Sequence, residues 1–366
     1  MTPFPYAPEQ YDTLFDTKAQ QALSKLTPFD PPIPALFPSE KRGFRLRAEF
    51  RMWHEGNELN YVMFPVGKPK APETVDRFPI ASQRIEAAMS PLRNYLSSSD
   101  SLRRKLFQVE FLSTLSGELL VTLTYHRPLE ETWRQEAAEL ALHLNCKVIG
   151  RARKQKIIVQ EDWVEECLAI EGERFHYRQP DQCFTQPNGI INCTMIEWLL
   201  SQCATSDRDL LELYCGIGNF TLPLSSRFRR VLATELNKRA TAAARHNAVA
   251  NNVQNVSLAR LSAEEMASAK AGVRAFRRLA SLEPPLAEWE FETLLVDPPR
   301  AGLDPTTLAL ASDFERILYI SCNPETLAEN MAELSATHRI DSLAFFDQFP
   351  YTPHLEVGMT LSRKPS

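Results

Sequence analysis

The chain has 366 residues, enough for two domains that each bury a core, with 44% hydrophobic and 24% charged residues. Its net charge of −5 points to no nucleic-acid partner, and no run approaches the roughly 18 apolar residues of a membrane span. The opening MTPFPYAPEQ lacks the parts of a secretory signal, and seven cysteines without a CxxC pair argue against disulfides, a metal or an iron–sulfur cluster and for a reducing cytoplasm.

Residues 1–40 are Pro-rich around an amphipathic segment, Glu9 to Leu26, which reads as a helix leading into the loop PFDPPIPALFPSE. Residues 44–66 carry a Gly56-Asn57 turn between two β-like halves and read as a hairpin, with Arg45, Arg47, Glu49 and Arg51 on one face. Residues 82–98 and Glu130–Leu144 read as helices, and 106–126 as a second hairpin turning at Ser116-Gly117. Strands near 147–150 and 156–159 complete an N-terminal α+β module.

Local charge in this module departs from the global balance. Lys41, Arg42, Arg45, Arg47 and Arg51 interleave with Phe44 and Phe50, and Arg103-Arg104-Lys105 precedes Phe107. Arg151, Arg153, Lys154 and Lys156 follow. Basic residues beside aromatics suit phosphate contacts and base stacking. Solvated strand edges that discourage aggregation carry the same residue types. The module holds no constellation of catalytic groups, so its chemistry is binding.

Beyond Phe184-Thr185-Gln186-Pro187-Asn188, apolar strands alternate with helical stretches, the pattern of a parallel doubly wound α/β sheet. Leu210–Tyr214 leads into Cys215-Gly216-Ile217-Gly218-Asn219-Phe220, and Val231–Thr234 ends on Glu235 before the helix Lys238–Asn251. Thr293–Val296 ends on Asp297-Pro298-Pro299-Arg300, and Arg316–Ile320 on Ser321-Cys322-Asn323-Pro324, where Pro324 turns the chain into a helix. Ser342–Phe346 and Glu356–Leu361 close the sheet around the loop FPYTPH. Strand ends of a parallel sheet share one edge, so the Gly-rich turn, Glu235, Asp297 and Cys322 should converge there.

Glu235 stands nineteen residues after Gly216, close to the separation at which an acid accepts ribose hydroxyls. The third glycine of the dinucleotide fingerprint is absent, so a smaller nucleoside ligand such as S-adenosylmethionine fits better than a dinucleotide. On position alone Cys322 reads either as a nucleophile or as an inert buried thiol. Glu356 reads as a base or as an edge-strand acid, and Tyr214 as a ligand contact or a core aromatic. His354 reads as an orienter of the base or as an exposed turn residue. Asp347 and Gln348 read as ring contacts or as loop caps.

The stretches LELYCGIGNF, VLATE, VDPPRAGLD, LYISCNPETL and HLEVG resemble the RNA 5-methyluridine methyltransferases, and RLRAEFRMWHEG with KLFQVEFL extends the likeness into the N-terminal module. The resemblance is to the tRNA branch of that family. It implies a Rossmann-like S-adenosylmethionine-dependent methyltransferase domain (179–366) behind an α+β RNA-binding domain (1–178). It further implies Gln186, Tyr214, Asn219, Glu235 and Asp297 as S-adenosylmethionine contacts, Cys322 as nucleophile, Glu356 as base, and Arg51 and Phe107 as RNA contacts. The implied substrate is the T-loop uridine of tRNA, with the matching site of tmRNA beside it, in a cytoplasmic enzyme with no obligate protein partner and a monomer compatible with that. Ribosomal-RNA relatives carry an extra β-barrel and a Cys-rich cluster motif, neither visible here. A tRNA-folding protein in which catalysis is secondary is the reading from another class.

Overall fold

The computed structural model describes residues 6–56, 58–64 and 71–365. The expected helices form within a residue or two of the pattern. The first, Tyr11–Leu26, buries Tyr11, Phe15, Lys18, Ala19, Ala22 and Leu26, a stripe at helical spacing that happens to include a lysine. A short strand, β1 (Ala35–Phe37), follows inside the stretch read as a loop.

The module comes next: β2 (Arg47–Glu55), β3 (Glu58–Met63), β4 (Glu73–Thr74), β5 (Leu106–Ser113), β6 (Leu119–Tyr125), β7 (Lys147–Ala152) and β8 (Gln155–Ile158). They form one seven-stranded sheet in the order β4-β3-β2-β5-β6-β7-β8. Burial alternates through residues 44–52, into β2: Phe44, Leu46, Ala48, Phe50 and Met52 are buried, whereas Arg45 and Arg47 are half-buried and Glu49 and Arg51 exposed. Gly56 takes the left-handed φ of 62° that a tight hairpin turn requires, whereas Asn57 lies outside the described residues. Helices Gln83–Ser98 and Glu131–Leu144 cover the sheet; the first is capped by the Ser82 hydroxyl, which accepts from Ile85 N, and buries Ile85, Ala88, Met89, Leu92 and Leu96.

A hairpin unforeseen in the sequence, β9 (Trp163–Ile170) with β10 (Glu173–Pro180), connects the two halves. Then come β11 (Asp209–Leu213), β12 (Arg230–Thr234), β13 (Val256–Ala259), β14 (Phe291–Val296), β15 (Arg316–Ser321), β16 (His338–Phe346) and β17 (Glu356–Arg363). With β1 they make an eight-stranded sheet ordered β1-β16-β17-β15-β14-β11-β12-β13. Alternate residues of its strands feed two cores. Leu211, Leu213, Val296, Tyr319 and Val357 pack with the first helix and with Pro324–Leu334, whereas Leu210, Leu295, Leu318 and Ile320 pack with helix Gly189–Gln202.

Two expectations change. The sheet is not parallel throughout, because β17 runs antiparallel to both neighbours, β15 and β16. The packing also departs from a division at 178/179. Helix Tyr11–Leu26 shares a core with the C-terminal sheet, β1 pairs in parallel with β16, and Leu168, Ile170 and Tyr177 of the connecting hairpin share a core with Met195 and Leu199. Three apolar residues after a Pro-rich tract are too short to show a period, so this strand was hidden in the sequence.

Candidate active site

Strand register assembles the site before any side chain is considered. Leu213 of β11 pairs with Thr234 of β12 and with Val296 of β14, so the next residues, Tyr214, Glu235 and Asp297, stand level on one edge. Ser321 of β15 pairs with Val357 of β17, which makes Cys322 and Glu356 the next positions on adjacent strands. Because β17 is antiparallel, its first residue meets the edge where the parallel strands end. That reversal brings Glu356 to Cys322.

The turn at Cys322 is held from both sides. Asn323 N donates to the Ser321 hydroxyl at 3.2 Å, and that hydroxyl donates back to Asn323 O at 3.1 Å. Asn323 Nδ2 and Thr326 Oγ1 both donate to the carbonyl of Arg300, at 3.0 and 3.1 Å, which ties the Cys322 turn to the Asp-Pro-Pro-Arg loop. Asn323 Oδ1 also caps the helix Pro324–Leu334 by accepting from Glu325 N. Burial, then the charges of Glu356 and Asp297, push the Cys322 thiol up to about 11, and the Arg300 guanidinium opposes them. Glu356 is 2% exposed, and burial followed by the Asp297 charge pushes its carboxyl well above the ordinary range. Burial likewise raises Asp297, and two such carboxyls side by side cannot both ionise freely.

On the neighbouring strands the backbone is built for close approach. Tyr214 takes φ 62°, a left-handed conformation that a bulky residue adopts only when its surroundings enforce it. Gly216 follows at φ 57°, with nothing within 4 Å of where a Cβ would stand. Glu235 accepts from Gly216 N at 3.1 Å and from Asn237 N at 2.6 Å, one bond per oxygen, leaving each oxygen a free lone pair for a hydroxyl. Asn219 and Asn192 exchange two amide hydrogen bonds of 2.8 Å each. Gln186, Tyr214, Asn219 and Asp297 line one pocket together with Gly216 and with Leu46 of the N-terminal module. Beneath it Glu212 is buried and raised to about 8, chiefly by burial, with Oε2 unpartnered.

Away from the pocket, Arg51 and Phe107 meet. The ladder between β5 and β6 shifts register between Leu106 and Gln108, and this bulge leaves Phe107 outside the pairing. The Arg51 guanidinium lies 3.7 Å from the Phe107 ring centroid, and His126 stacks on the ring at 4.1 Å. No pattern in the sequence marks His126; only the register reveals it. Several residues of the basic clusters are otherwise committed. Arg47 donates to Cys183 O at 3.1 Å, Lys41 pairs with Asp12, and Arg151 and Lys156 pair with Asp181 and Asp162. Arg42, Arg104, Lys105, Arg153 and Lys154 stay exposed. Asp347 and Gln348 are fully buried: Asp347 pairs with Lys18, and Gln348 accepts from Asn188 N at 2.8 Å, so they brace the loop. His354 accepts from Arg300 at 3.3 Å when Nδ1 is unprotonated.

Among the described residues no group of three or more His, Cys, Asp or Glu is arranged to hold a metal, and no helix is long and apolar enough to cross a membrane. Residues 10–364 match the family model described as tRNA (Uracil-5-)-methyltransferase. The chain belongs to that family. The tRNA/tmRNA (uracil-C(5))-methyltransferase of Aromatoleum aromaticum is 51% identical over 357 residues, covering 98% of this chain and 96% of the relative. The protein of the same name from Pseudomonas entomophila is 51% identical over 359 residues, covering 98% and 99%. Among solved structures, Pyrococcus abyssi tRNA (uracil-54, C5)-methyltransferase in complex with S-adenosyl-L-homocysteine superposes with a TM-score of 0.72 at 20% identity, covering 96% of this chain and 83% of that one. At that identity the likeness is one of fold. The family match runs through both the module and the eight-stranded sheet, so the two belong to a single tRNA (uracil-5-)-methyltransferase unit.

Proposed function

We propose that this enzyme methylates carbon 5 of the T-loop uridine of tRNA, the position named as uracil-54 for the Pyrococcus abyssi protein, and the equivalent site of tmRNA. The observation that carries the reading is the adjacency of Cys322 and Glu356, the positions just beyond the paired Ser321 and Val357 of β15 and β17, next to Asp297, which lines the neighbouring pocket. The residues fit S-adenosylmethionine: Glu235 keeps lone pairs for ribose hydroxyls, Gly216 leaves room for close backbone approach, and Gln186, Tyr214, Asn219 and Asp297 line the space between. Bound there, the cofactor supplies an electrophilic methyl group.

Uracil carbon 5 is too weak a nucleophile by itself. The Cys322 thiolate adds to carbon 6, and the ring electrons move onto the carbon 4 carbonyl as an enolate, which makes carbon 5 nucleophilic. Once carbon 5 carries the methyl group it still holds its proton. Glu356 takes that proton, the carbon 5–carbon 6 double bond re-forms, and the thiolate leaves. A raised carboxyl pKa makes Glu356 a stronger base than an exposed glutamate, which suits a carbon acid. The thiol's high pKa means that Cys322 gives its proton to water before it attacks and regains one from water after the thiolate leaves, while the carbon 5 proton passes through Glu356 to solvent. Arg300 is the cation placed to favour the thiolate.

The module of residues 45–160 serves as the RNA-binding part in this reading, with Phe107, Arg51 and His126 clustered as an aromatic and cationic surface for unpaired bases and phosphates. The target base is stacked within the folded tRNA and must flip out to reach Cys322. Nucleoside mass spectrometry after incubation with S-adenosylmethionine and unmodified tRNA tests the proposal. New 5-methyluridine in the T-loop is expected, and product only in ribosomal RNA would overturn the substrate.

A further inference from the structure

Lys18 is a buried lysine on a helix far from the site in sequence, and its ammonium is fully occupied. It lies 2.5 Å from Asp347 Oδ1, and donates to the carbonyls of Phe349 at 3.1 Å, Thr352 at 3.4 Å and His354 at 3.0 Å. Lys18 is 6% exposed and Asp347 0% exposed, so water does not substitute for any of these partners. A lysine is disfavoured in such surroundings: burial lowers its pKa, and the Asp347 charge opposes that. An apolar residue at this point of the helix would fill the stripe at less cost in desolvation. The lysine is therefore explained by what it holds, which is the whole connection from β16 to β17.

That connection runs directly into Glu356. The last carbonyl Lys18 grips belongs to His354, two residues before the base. The same loop is fastened on its other side, because Gln348 accepts from Asn188 N, and Asn188 caps helix Gly189–Gln202 two residues after Gln186. Tyr351, strained at φ 63°, donates its hydroxyl to Lys41 O at 2.7 Å. Cys322 follows a different strand, and its turn is fixed by bonds between Ser321 and Asn323 and from Asn323 to the Arg300 carbonyl, so loosening the loop would displace the base while leaving the nucleophile in place.

Resting on the function proposed above, we infer that Lys18 is a positioning residue of the methylation reaction: by gathering Asp347 and three loop carbonyls on one ammonium, the N-terminal helix sets Glu356 for proton removal. The role is specific to the step after methyl transfer. A merely structural lysine would affect addition and elimination alike.

The test uses the full chain, unmodified tRNA and S-adenosylmethionine. Lys18→Met is expected to lower kcat for 5-methyluridine at least tenfold, to leave KM for cofactor and tRNA within about twofold, and to accumulate protein–RNA adduct on a denaturing gel. Amides of 347–355 should exchange hydrogen faster, and Lys18→Arg, which keeps the charge, should recover part of kcat. Wild-type turnover in Lys18→Met, or a fall in turnover with no surplus of adduct, would overturn the inference. Should Lys18→Met fail to fold, Asp347→Asn is expected to show the same adduct surplus at smaller size, and wild-type behaviour of that variant would overturn it equally. A wild-type chain that makes no 5-methyluridine would refute the proposed function instead. The exchange of 347–355 in the variants would then judge the clamp by itself, unchanged exchange overturning it.

Discussion

Glu356→Gln separates the two halves of the proposed reaction, because it removes a base while keeping the shape of the side chain. Glu356 is 2% exposed, so bulk water cannot replace it as proton acceptor. A positioned general base is worth about 10²–10⁴ in rate. Asp297 lies close enough to raise the Glu356 carboxyl, and its own basicity is increased by burial, so it should retain a share of the proton removal. The expected loss in elimination is therefore about 10³, or roughly 4 kcal/mol at 1.36 kcal/mol per decade. Single-turnover reactions would show rapid formation of a denaturant-stable protein–RNA adduct and slow release of 5-methyluridine. Turnover within tenfold of wild type, or no adduct, would refute the assignment. Stability should move the opposite way. A carboxyl raised in the folded state favours folding below its unfolded pKa and loses that contribution as pH rises through the folded pKa. Gln removes the loss, so the variant's Tm should exceed that of wild type at pH 8, with the gap closing towards pH 5.

Other perturbations probe separate parts of the molecule. Cys322→Ala should abolish methylation and adduct while S-adenosylmethionine affinity, measured by calorimetry, stays within about twofold; residual turnover near wild type would remove the nucleophile role. Iodoacetamide labelling of Cys322 in the free enzyme should be slow at pH 7 and rise towards pH 11, since the thiol is held up to about 11. Phe107→Ala and His126→Ala should each weaken tRNA binding by about 1–3 kcal/mol, the scale of one base–aromatic stack, with cofactor affinity unchanged. Asp209, fully buried, accepts from Arg229, Arg230 and Glu290 N and is held at about 2. Its contribution to stability is complete above the unfolded carboxyl pKa and disappears as pH falls through about 2, so Asp209→Asn should flatten the acid limb of the Tm profile.

What was legible in the sequence were the features with a period or a chemical signature. The apolar strands ending on Gly216, Glu235, Asp297 and Cys322 are long enough to show themselves, and register then places three of these ends level. Glu356 was legible only through family resemblance, because nothing in the residues around it says that β17 runs antiparallel. Strand β1 is too short to register, and in β9 the buried positions include Glu166, which breaks the apolar alternation that would mark a strand. No pattern in the sequence marks Lys18, whose burial depends on a loop some 330 positions away. The basic clusters misled in the other direction: charge counts cannot say that Arg47, Arg151 and Lys156 are taken up by a carbonyl and two aspartates.

The pairing of β1 with β16 bears on how the protein is made. The eight-stranded sheet takes one edge strand from residues 35–37 and its partner from residues 338–346, so it cannot be completed until nearly the whole chain has left the ribosome. The module of residues 45–160 contains its own core and can fold first, in the order of synthesis. It is thereby an insertion, joined to the rest by two covalent crossings where a tandem domain has one. A domain tethered at both ends cannot swivel about a single hinge, as a tandem domain can.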